Sequence, residues 1–225
     1  IRTRLVGSKM CIRDREHSDP LMRTYLEDLI YRLSETSEVR DRRFEFIILE
    51  DKTINAFAAP GGIIGINLGM FLNTEREGEL ASVMCHELAH LSQRHFARSQ
   101  NRNSPLANAL MILGSIAVAA ASRNPEAILI APAAMQQMSI NYTRSNEKEA
   151  DRIGFNNLVK AGFDPNDMTM MFQRMQDKYQ NEDSEQFSYL MTHPLPSERL
   201  TDMRIRADGL KNNSKNSFRD NMDFY

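Results

Sequence analysis

Two histidines separated by three residues, with a glutamate directly after the first, limit how this chain can fold. His86, Glu87 and His90 lie in a run of apolar residues at helical spacing, and Thr74 and Glu77 before it predict a capping box. We expect one helix of about seven turns. Because each residue turns a helix by about 100°, His86 and His90 point within about 40° of each other and can share one metal ion.

The position of Glu87 predicts a chemical role instead of a metal bond. It lies about 100° round the helix from His86, which suits holding and deprotonating a water that the metal binds. An H-E-x-x-H motif arises by chance in about one of a hundred chains of this length. An ordinary helix with two surface histidines therefore stays open as the alternative.

A catalytic zinc site needs a third protein ligand, and the residues just after the motif do not supply one. A metzincin would have glycine at Gln93 and histidine at Phe96, and neither is present. His95 is predicted to point about 140° away from His90 and to be an ordinary surface or core histidine. The third ligand must come from another part of the chain.

A second predicted helix carries the candidate acidic ligands. It is expected to start at Ser145 or Asn146 and to end at Gly162. Acidic residues near a helix N-terminus also interact favourably with the helix dipole, so spacing alone leaves the ligand and dipole interpretations equally open. The candidates, of which the first and last share a helix face, are Glu147, Glu149 and Asp151.

The rest of the chain predicts a small sheet among helices. A helix is expected from Asp19 to about Ser34, and extended apolar runs separated by turns follow between residues 43 and 73. Further amphipathic helices are expected after Asp164 and from Pro196. The first of these carries methionines assigned to the core, at Met168, Met170, Met171 and Met175. The pattern predicts an α+β fold that is mostly helical.

Composition argues against a nucleic-acid partner and leaves the compartment open. The chain has 225 residues with 28 Lys+Arg and 30 Asp+Glu, so it lacks the basic excess that phosphate binding requires. Cys11 and Cys85 are too few for a disulfide framework, and Cys85 is expected to be a small buried hydrophobe. Residues 1–15 lack the apolar run of a signal peptide and are expected to be a non-native or disordered leader.

An apolar segment between the two motif helices leaves contact with a membrane open. Residues 103–122 carry no charge, but the apolar stretch from Leu106 to Ala121 is shorter than the about 20 residues of a membrane span. Asn108 and Ser115 also interrupt it. A buried or site-covering helix is favoured over a span, while membrane contact within residues 103–143 stays open.

Four stretches, in order along the chain, resemble the gluzincin family of zinc metallopeptidases: NAFAAPGGIIGINLGMF, ELASVMCHELAHLSQRH, NEKEADRIG and THPLPSERL. The resemblance implies a zincin-like metalloprotease domain whose small sheet lies beside the active-site helix. It implies one Zn²⁺ ion bound by His86, His90 and Glu147, with Glu87 as the general base. It also implies that Asp151 orients a ligand histidine.

The same resemblance implies roles for three further parts of the chain. An edge strand, to which an extended peptide can add its backbone, maps to Asn55, Ala56, Phe57 and Ala58. His193 would be a latch in the fourth zinc position, with an ordinary loop histidine as the alternative. Arg199 would reach the substrate carbonyl or its developing oxyanion, with a surface salt bridge as the alternative.

A function and a wider context are also implied by the resemblance. The implied function is that of a zinc-dependent endopeptidase in the bacterial periplasm. Its substrates would be misfolded or misassembled envelope proteins in extended or unfolded form. Residues 16–210 would form the protease domain, and residues 211–225 a linker to a helical-repeat domain that contacts the outer-membrane β-barrel assembly machinery. A chaperone-like module with largely latent activity and a membrane-associated prenyl-protein protease are the alternatives.

Overall fold

Asp19 and Pro20 begin the first helix as their chemistry predicts. The computed structural model, which describes residues 16–102, 130–181 and 188–211, has helix α1 at Pro20–Thr36, and the Asp19 side chain accepts the Leu21 N–H. One face of α1 is buried, and it consists of Leu26, Leu29, Ile30, Leu33 and Ser34. The helix predicted to run to about Ser34 is confirmed.

A three-stranded sheet follows α1, and its order places a short strand at one edge. The strands are β1 at Glu45–Leu49, β2 at Ala56–Ala59 and β3 at Ile63–Asn67, in the order β1-β3-β2. β3 pairs in parallel with β1 and in antiparallel with β2. Gly61 and Gly62, both with positive φ, form the tight turn between β2 and β3. Among the described residues, β2 pairs with β3 alone, and no strand pairs with its other edge.

The predicted motif helix is interrupted. After the short helix α2 at Leu68–Leu72, helix α3 spans Glu77–Ser92 and helix α4 spans His95–Arg102. Arg94, between α3 and α4, has a left-handed backbone with φ 53° and redirects the chain. The prediction of one helix of about seven turns is wrong, because apolar spacing does not report a single left-handed residue.

The start of α3 also differs from the prediction. Helix α3 begins at Glu77 with Arg76 in the N-cap position, and the Thr74 hydroxyl donates to a carbonyl of α2. The Glu75 N–H is instead bound by the Glu79 carboxylate at 2.7 Å. Glu77 pairs with Arg32 of α1 at 2.8 Å. The predicted capping box is wrong because both of its members find partners in other elements.

Helices from the second half of the chain cover α3. They are α5 at Ile130–Lys160, α6 at Pro165–Asn181, α7 at Ser188–Thr192 and α8 at Ser197–Lys211, and both α5 and α6 pack against α3. The predicted helix start at Ser145 or Asn146 is wrong, because α5 runs through both residues and capping preference is weaker than helix packing. Gly162, with φ 89°, ends this segment as predicted.

The hydrophobic core lies around α3, between the sheet, α1, α5 and α6. Of the methionines assigned to it, three are buried and Met170 is half-buried; the buried ones are Met168, Met171 and Met175. Cys85 is fully buried, as predicted, and its burial raises the pKa of the thiol. The α+β fold, mostly helical with a small sheet beside the motif helix, is confirmed.

Several predicted segments lie outside the described residues. They are the leader at residues 1–15, nearly all of the linker at residues 211–225, and the apolar stretch at residues 103–122. Within the three described ranges, no helix combines the length and the apolar character that crossing a membrane requires.

Candidate metal centre

Helix α3 carries the motif into the interior of the protein. Every residue from Glu77 to Ala89 is buried, because the sheet, α5 and α6 surround this helix. His86 Nε2 and His90 Nε2 lie 3.0 Å apart. The four-residue spacing thus brings the two imidazoles together, as predicted.

Glu147 reaches the same point from α5. Its Oε2 lies 3.3 Å from His86 Nε2, and its Oε1 lies 3.3 Å from His90 Nε2. Burial opposes the charged form of Glu147, but hydrogen bonds to His193, His86 and His90 outweigh it and lower the pKa of the carboxyl group. Glu147 is therefore an anionic group at neutral pH, as a metal ligand must be.

His193 joins this cluster from the loop between α7 and α8. Its Nδ1 lies 3.1 Å from both carboxylate oxygens of Glu147 and 3.4 Å from His86 Nε2. The Tyr189 ring stacks on the imidazole with 4.6 Å between centroids. The histidine that the resemblance singles out as a latch thus lies beside the implied ligands.

The distances between these donor atoms fit a small tetrahedral ion. The donor atoms of His86, His90, Glu147 and His193 all lie within 4.8 Å of one another, with neighbouring pairs at 3.0 to 3.4 Å. A tetrahedral zinc site with bonds of about 2.0–2.1 Å places its ligand atoms about 3.4 Å apart. Imidazole nitrogens with one carboxylate are also a donor set that zinc accepts. The residues present therefore fit a resident metal ion.

Asp151 supports His86 on the side away from the cluster. Its Oδ1 lies 3.0 Å from His86 Nδ1, so a hydrogen on Nδ1 leaves Nε2 free for a metal. Burial opposes the charge on His86, but hydrogen bonds to Asp151 and Glu147 outweigh it and raise its pKa to about 9. A metal ion at His86 Nε2 therefore competes with the second proton that the charged imidazolium carries on that nitrogen.

Arg199 lies behind the cluster. It is 3% exposed and donates to both carboxylate oxygens of Asp151, at 2.6 and 2.7 Å. It also donates to Pro194 O at 2.6 Å and lies 3.0 Å from Glu147 Oε2. The surface salt bridge considered for Arg199 is wrong, because its ion pairs are buried. Its contact with a substrate carbonyl stays a prediction.

Glu87 lies between the cluster and the edge strand. Its Oε2 accepts the Ala58 N–H of β2 at 3.1 Å. Its Oε1 is buried without a hydrogen-bond partner among the described residues, and His193 Nε2 is 3.6 Å away. An unpartnered buried oxygen costs stability, so its presence here suits an atom that takes a proton during a reaction.

A cleft of about 1550 Å³ opens over these residues. Its lining includes residues 57–62 around β2 together with Glu87, His90, Glu147 and His193. Small-molecule sites are typically about 300–1,000 Å³, so this cleft is large enough for a polymer. Because β2 has a free edge, an extended peptide here would find backbone partners next to the cluster.

His95 lies beside His90, which was not predicted from the sequence. The two Nδ1 atoms are 2.9 Å apart, and His95 Nε2 lies 3.1 Å from Glu149 Oε2. The predicted direction, about 140° from His90, is wrong because the break at Arg94 turns His95 back toward the motif. The polar residues just before His95, which interrupt the apolar spacing, were the available signal for a helix end.

Gly154 allows α5 to approach the backbone of His86. A β-carbon at this position would lie 3.0 Å from both His86 N and His86 Cα. We expect Gly154→Ala to push α5 away from α3 and to weaken zinc binding about tenfold, in line with a packing strain of about 1–3 kcal/mol. Alanine also stabilises a helix interior by about 1 kcal/mol relative to glycine. The free energy of unfolding should therefore fall by less than the packing strain.

Chelator competition for zinc, combined with urea unfolding, measures both effects. Gly209→Ala on α8 is the matched control, because a β-carbon there has no atom within 4 Å among the described residues. We expect this control to keep the zinc affinity of the wild type. Wild-type zinc affinity in Gly154→Ala would show that the contact between the two helices does not set the geometry of the site.

Comparison with known proteins agrees with this geometry. The chain is 46% identical over 195 residues to a Vibrio cholerae protein, covering 84% of this chain and 40% of that protein. It is 38% identical over 203 residues to the Beta-barrel assembly-enhancing protease of Escherichia coli K12, covering 86% and 40%. It is 28% identical over 176 residues to the Mitochondrial metalloendopeptidase OMA1 of Schizosaccharomyces pombe, covering 78% and 50%.

The chain thus spans 40% of the length of these two bacterial relatives. Residues 20–207 match the profile of Peptidase family M48, and this range includes every residue of the cluster. Because that match covers most of the sequence, the chain belongs to peptidase family M48, whose members are metal-dependent peptidases.

Proposed function

We propose that this chain is the protease domain of a zinc-dependent endopeptidase. The observation that carries the proposal is the meeting of the His86, His90 and Glu147 donor atoms beside the unpartnered oxygen of Glu87. A structural zinc site has four protein ligands and needs no base, whereas a catalytic site has three protein ligands and a fourth position that opens to water, here the one that His193 would occupy and leave. The base and the cleft therefore favour catalysis.

Glu87 is the proposed general base and, later, the general acid. Zinc at this site would polarise the scissile carbonyl and lower the pKa of the attacking water. The Glu87 carboxylate takes a proton from that water and passes it to the leaving amine as the peptide bond breaks. The Ala58 N–H holds Oε2 at 3.1 Å and so leaves Oε1 for this transfer. Asp151 keeps His86 in the tautomer that binds a metal.

Strand β2 is the proposed docking site for substrate. An extended chain added to its free edge would run past Glu87, since Ala58 of this strand contacts Glu87 directly. Backbone hydrogen bonds depend on an extended conformation more than on the identity of the side chains. This mode of binding therefore suits unfolded substrates of varied sequence. The residues proposed to contact the substrate are Asn55, Ala56, Phe57 and Ala58.

The relatives support a proposal about the whole protein. The name of the Escherichia coli relative describes a protease that enhances β-barrel assembly. We propose that the protein to which this chain belongs is also located in the periplasm and that its substrates are misfolded or misassembled envelope proteins. Contact with the outer-membrane β-barrel assembly machinery would belong to a helical-repeat domain reached through residues 211–225.

The position of His193 favours a second candidate, a chaperone-like module with latent activity. Its donor nitrogen lies within 4.8 Å of the donor atoms of the three proposed ligands, where it would take the fourth zinc position in place of water. The imidazole is held by the loop that Pro194 begins and by the stacked Tyr189 ring. Tyr189 N–H donates to Ile54 O, just before β2, so a peptide docked on β2 would disturb the support of His193.

We expect His193→Ala to raise basal cleavage of an unfolded substrate about fivefold or more while zinc stays bound, because three ligands remain and water gains access. Initial rates on casein and the zinc content of the same samples measure this. His17→Ala is the control, since that imidazole pairs with Glu50 at the surface. An unchanged rate in the His193 variant would show that His193 does not act as a latch.

Casein cleavage with and without a chelator tests the proposed function itself. We expect the chelator to stop cleavage and added zinc to restore it. If neither the wild type nor His193→Ala shows chelator-sensitive cleavage, the binding module is supported and the endopeptidase is contradicted.

A further inference from the structure

The two candidate histidine ligands are supported differently on the side away from the cluster. His86 Nδ1 faces the Asp151 carboxylate at 3.0 Å. His90 Nδ1 faces Nδ1 of another imidazole, that of His95, at 2.9 Å. Asp151 has a role in the proposed metal site, because it orients His86. No role has yet been given to His95, which is only 4% exposed.

With a metal on His90 Nε2, the contacts allow one consistent placement of hydrogens on these two rings. His90 directs Nε2 at the cluster, 3.0 Å from His86 Nε2, so its Nδ1 carries the hydrogen when Nε2 binds a metal. His95 Nδ1 must then accept this hydrogen, because two N–H groups cannot face each other at 2.9 Å. The hydrogen of His95 therefore lies on Nε2, which has the Glu149 carboxylate at 3.1 Å as its acceptor.

Further contacts fix His95 and Glu149 in this arrangement. Arg98 donates to Glu149 Oε2 at 3.2 Å and to Gln93 O at 3.3 Å. The left-handed backbone at Arg94, with φ 53°, is what turns His95 toward His90. This conformation is unfavourable in a non-glycine residue. The chain thus adopts an unfavourable backbone conformation at the position that brings the two rings together.

We propose that His95 is a positioning residue for His90. It accepts the His90 Nδ1–H and thereby fixes the tautomer and orientation in which Nε2 binds the metal, while Glu149 fixes His95 in turn. The inference rests on the proposed zinc site. Removal of hydrogen-bond partners behind metal ligands typically weakens metal binding about 10–100-fold.

Zinc affinities of His95→Leu and His95→Asn test this role. Leucine removes the acceptor, whereas the asparagine amide oxygen can stand near the position of the imidazole Nδ1. We expect His95→Leu to weaken zinc binding about 10–100-fold and His95→Asn to stay within about threefold of the wild type. The visible absorption of the cobalt-substituted protein should change in the leucine variant and be preserved in the asparagine variant.

Two results would overturn the proposal. Wild-type zinc affinity in His95→Leu would show that His90 needs no such acceptor. An equal loss in His95→Leu and His95→Asn, with both metal-free proteins folded by circular dichroism, would show that the ring acts through packing alone.

A variant nearer the surface keeps the test valid if His95→Leu does not fold. Glu149→Ala removes the acceptor of the His95 Nε2–H, and we expect a loss of zinc affinity of about three- to tenfold. Glu198→Ala is the control, because this exposed glutamate pairs with Lys148 on the surface. Equal affinities in the Glu149 and Glu198 variants would contradict the proposal.

His86→Ala separates a failure of this inference from a failure of the zinc site. If the ligand set is wrong, His86→Ala will bind zinc as tightly as the wild type does. If only the role of His95 is wrong, His86→Ala will lose zinc while His95→Leu retains it.

Discussion

Glu87→Gln is expected to lower the rate of peptide cleavage by about 10²–10⁴-fold while the protein keeps its zinc. Glutamine has the shape of glutamate but cannot take a proton from water. Glu87 contacts Ala58 of β2, and its free oxygen is 3.6 Å from His193 Nε2, so its loss removes none of the three proposed ligand atoms. Initial rates on casein, with zinc content measured on the same preparation, test both parts of this expectation.

Glu38→Gln is the matched control for Glu87→Gln. Glu38 also lines the cleft, but its carboxylate accepts a hydrogen bond from Gln93 on the exposed side. We expect the control to cleave within about twofold of the wild-type rate, as for most exposed charge changes. A wild-type rate in Glu87→Gln would show that Glu87 is not the general base. Loss of zinc from that variant would show that Glu87 is a ligand.

Glu147→Ala is expected to weaken zinc binding by about 10²–10³-fold and to abolish cleavage at limiting zinc. Zinc sites with four ligands bind with about 10–16 kcal/mol, so one ligand contributes about 3 kcal/mol. The substitution also leaves His193 and Arg199 without the carboxylate that both contact. Chelator competition on the folded metal-free protein isolates the effect on affinity from any effect on stability.

Glu27→Ala provides the comparison for Glu147→Ala. Glu27 pairs with Arg23 at the surface of α1, and its loss should leave zinc affinity unchanged. One tightly bound equivalent of zinc in Glu147→Ala would mean that the ligand set is wrong and would leave His193 as the candidate third ligand.

The pairing of His86 with His90 could be predicted from sequence because helix geometry fixes contacts within one turn. Spacing could not choose among Glu147, Glu149 and Asp151, since all three sit on the same part of one helix. The structure gives each a different contact. Glu147 meets the cluster, Glu149 binds His95, and Asp151 binds His86.

Contacts between distant parts of the chain needed the family resemblance or the structure itself. His193 is 107 positions from His86, and no periodic pattern links the two. The contact of Arg199 with a substrate carbonyl stays a prediction, and its buried pairing with Asp151, 48 positions away, was not predicted from the sequence. Arginine rarely adopts a left-handed backbone, so the identity of residue 94 did not predict the break, and the polar residues before His95 were the available signal for it.

Anomalous diffraction at the zinc absorption edge locates the ion itself. Crystals of the Glu87→Gln protein, grown with one equivalent of zinc, avoid self-cleavage and preserve the proposed ligands. We predict one strong peak about 2.0–2.2 Å from His86 Nε2, His90 Nε2 and a Glu147 carboxylate oxygen. A fully occupied zinc ion bound elsewhere on the chain, with no peak at these three residues, would contradict the proposed site.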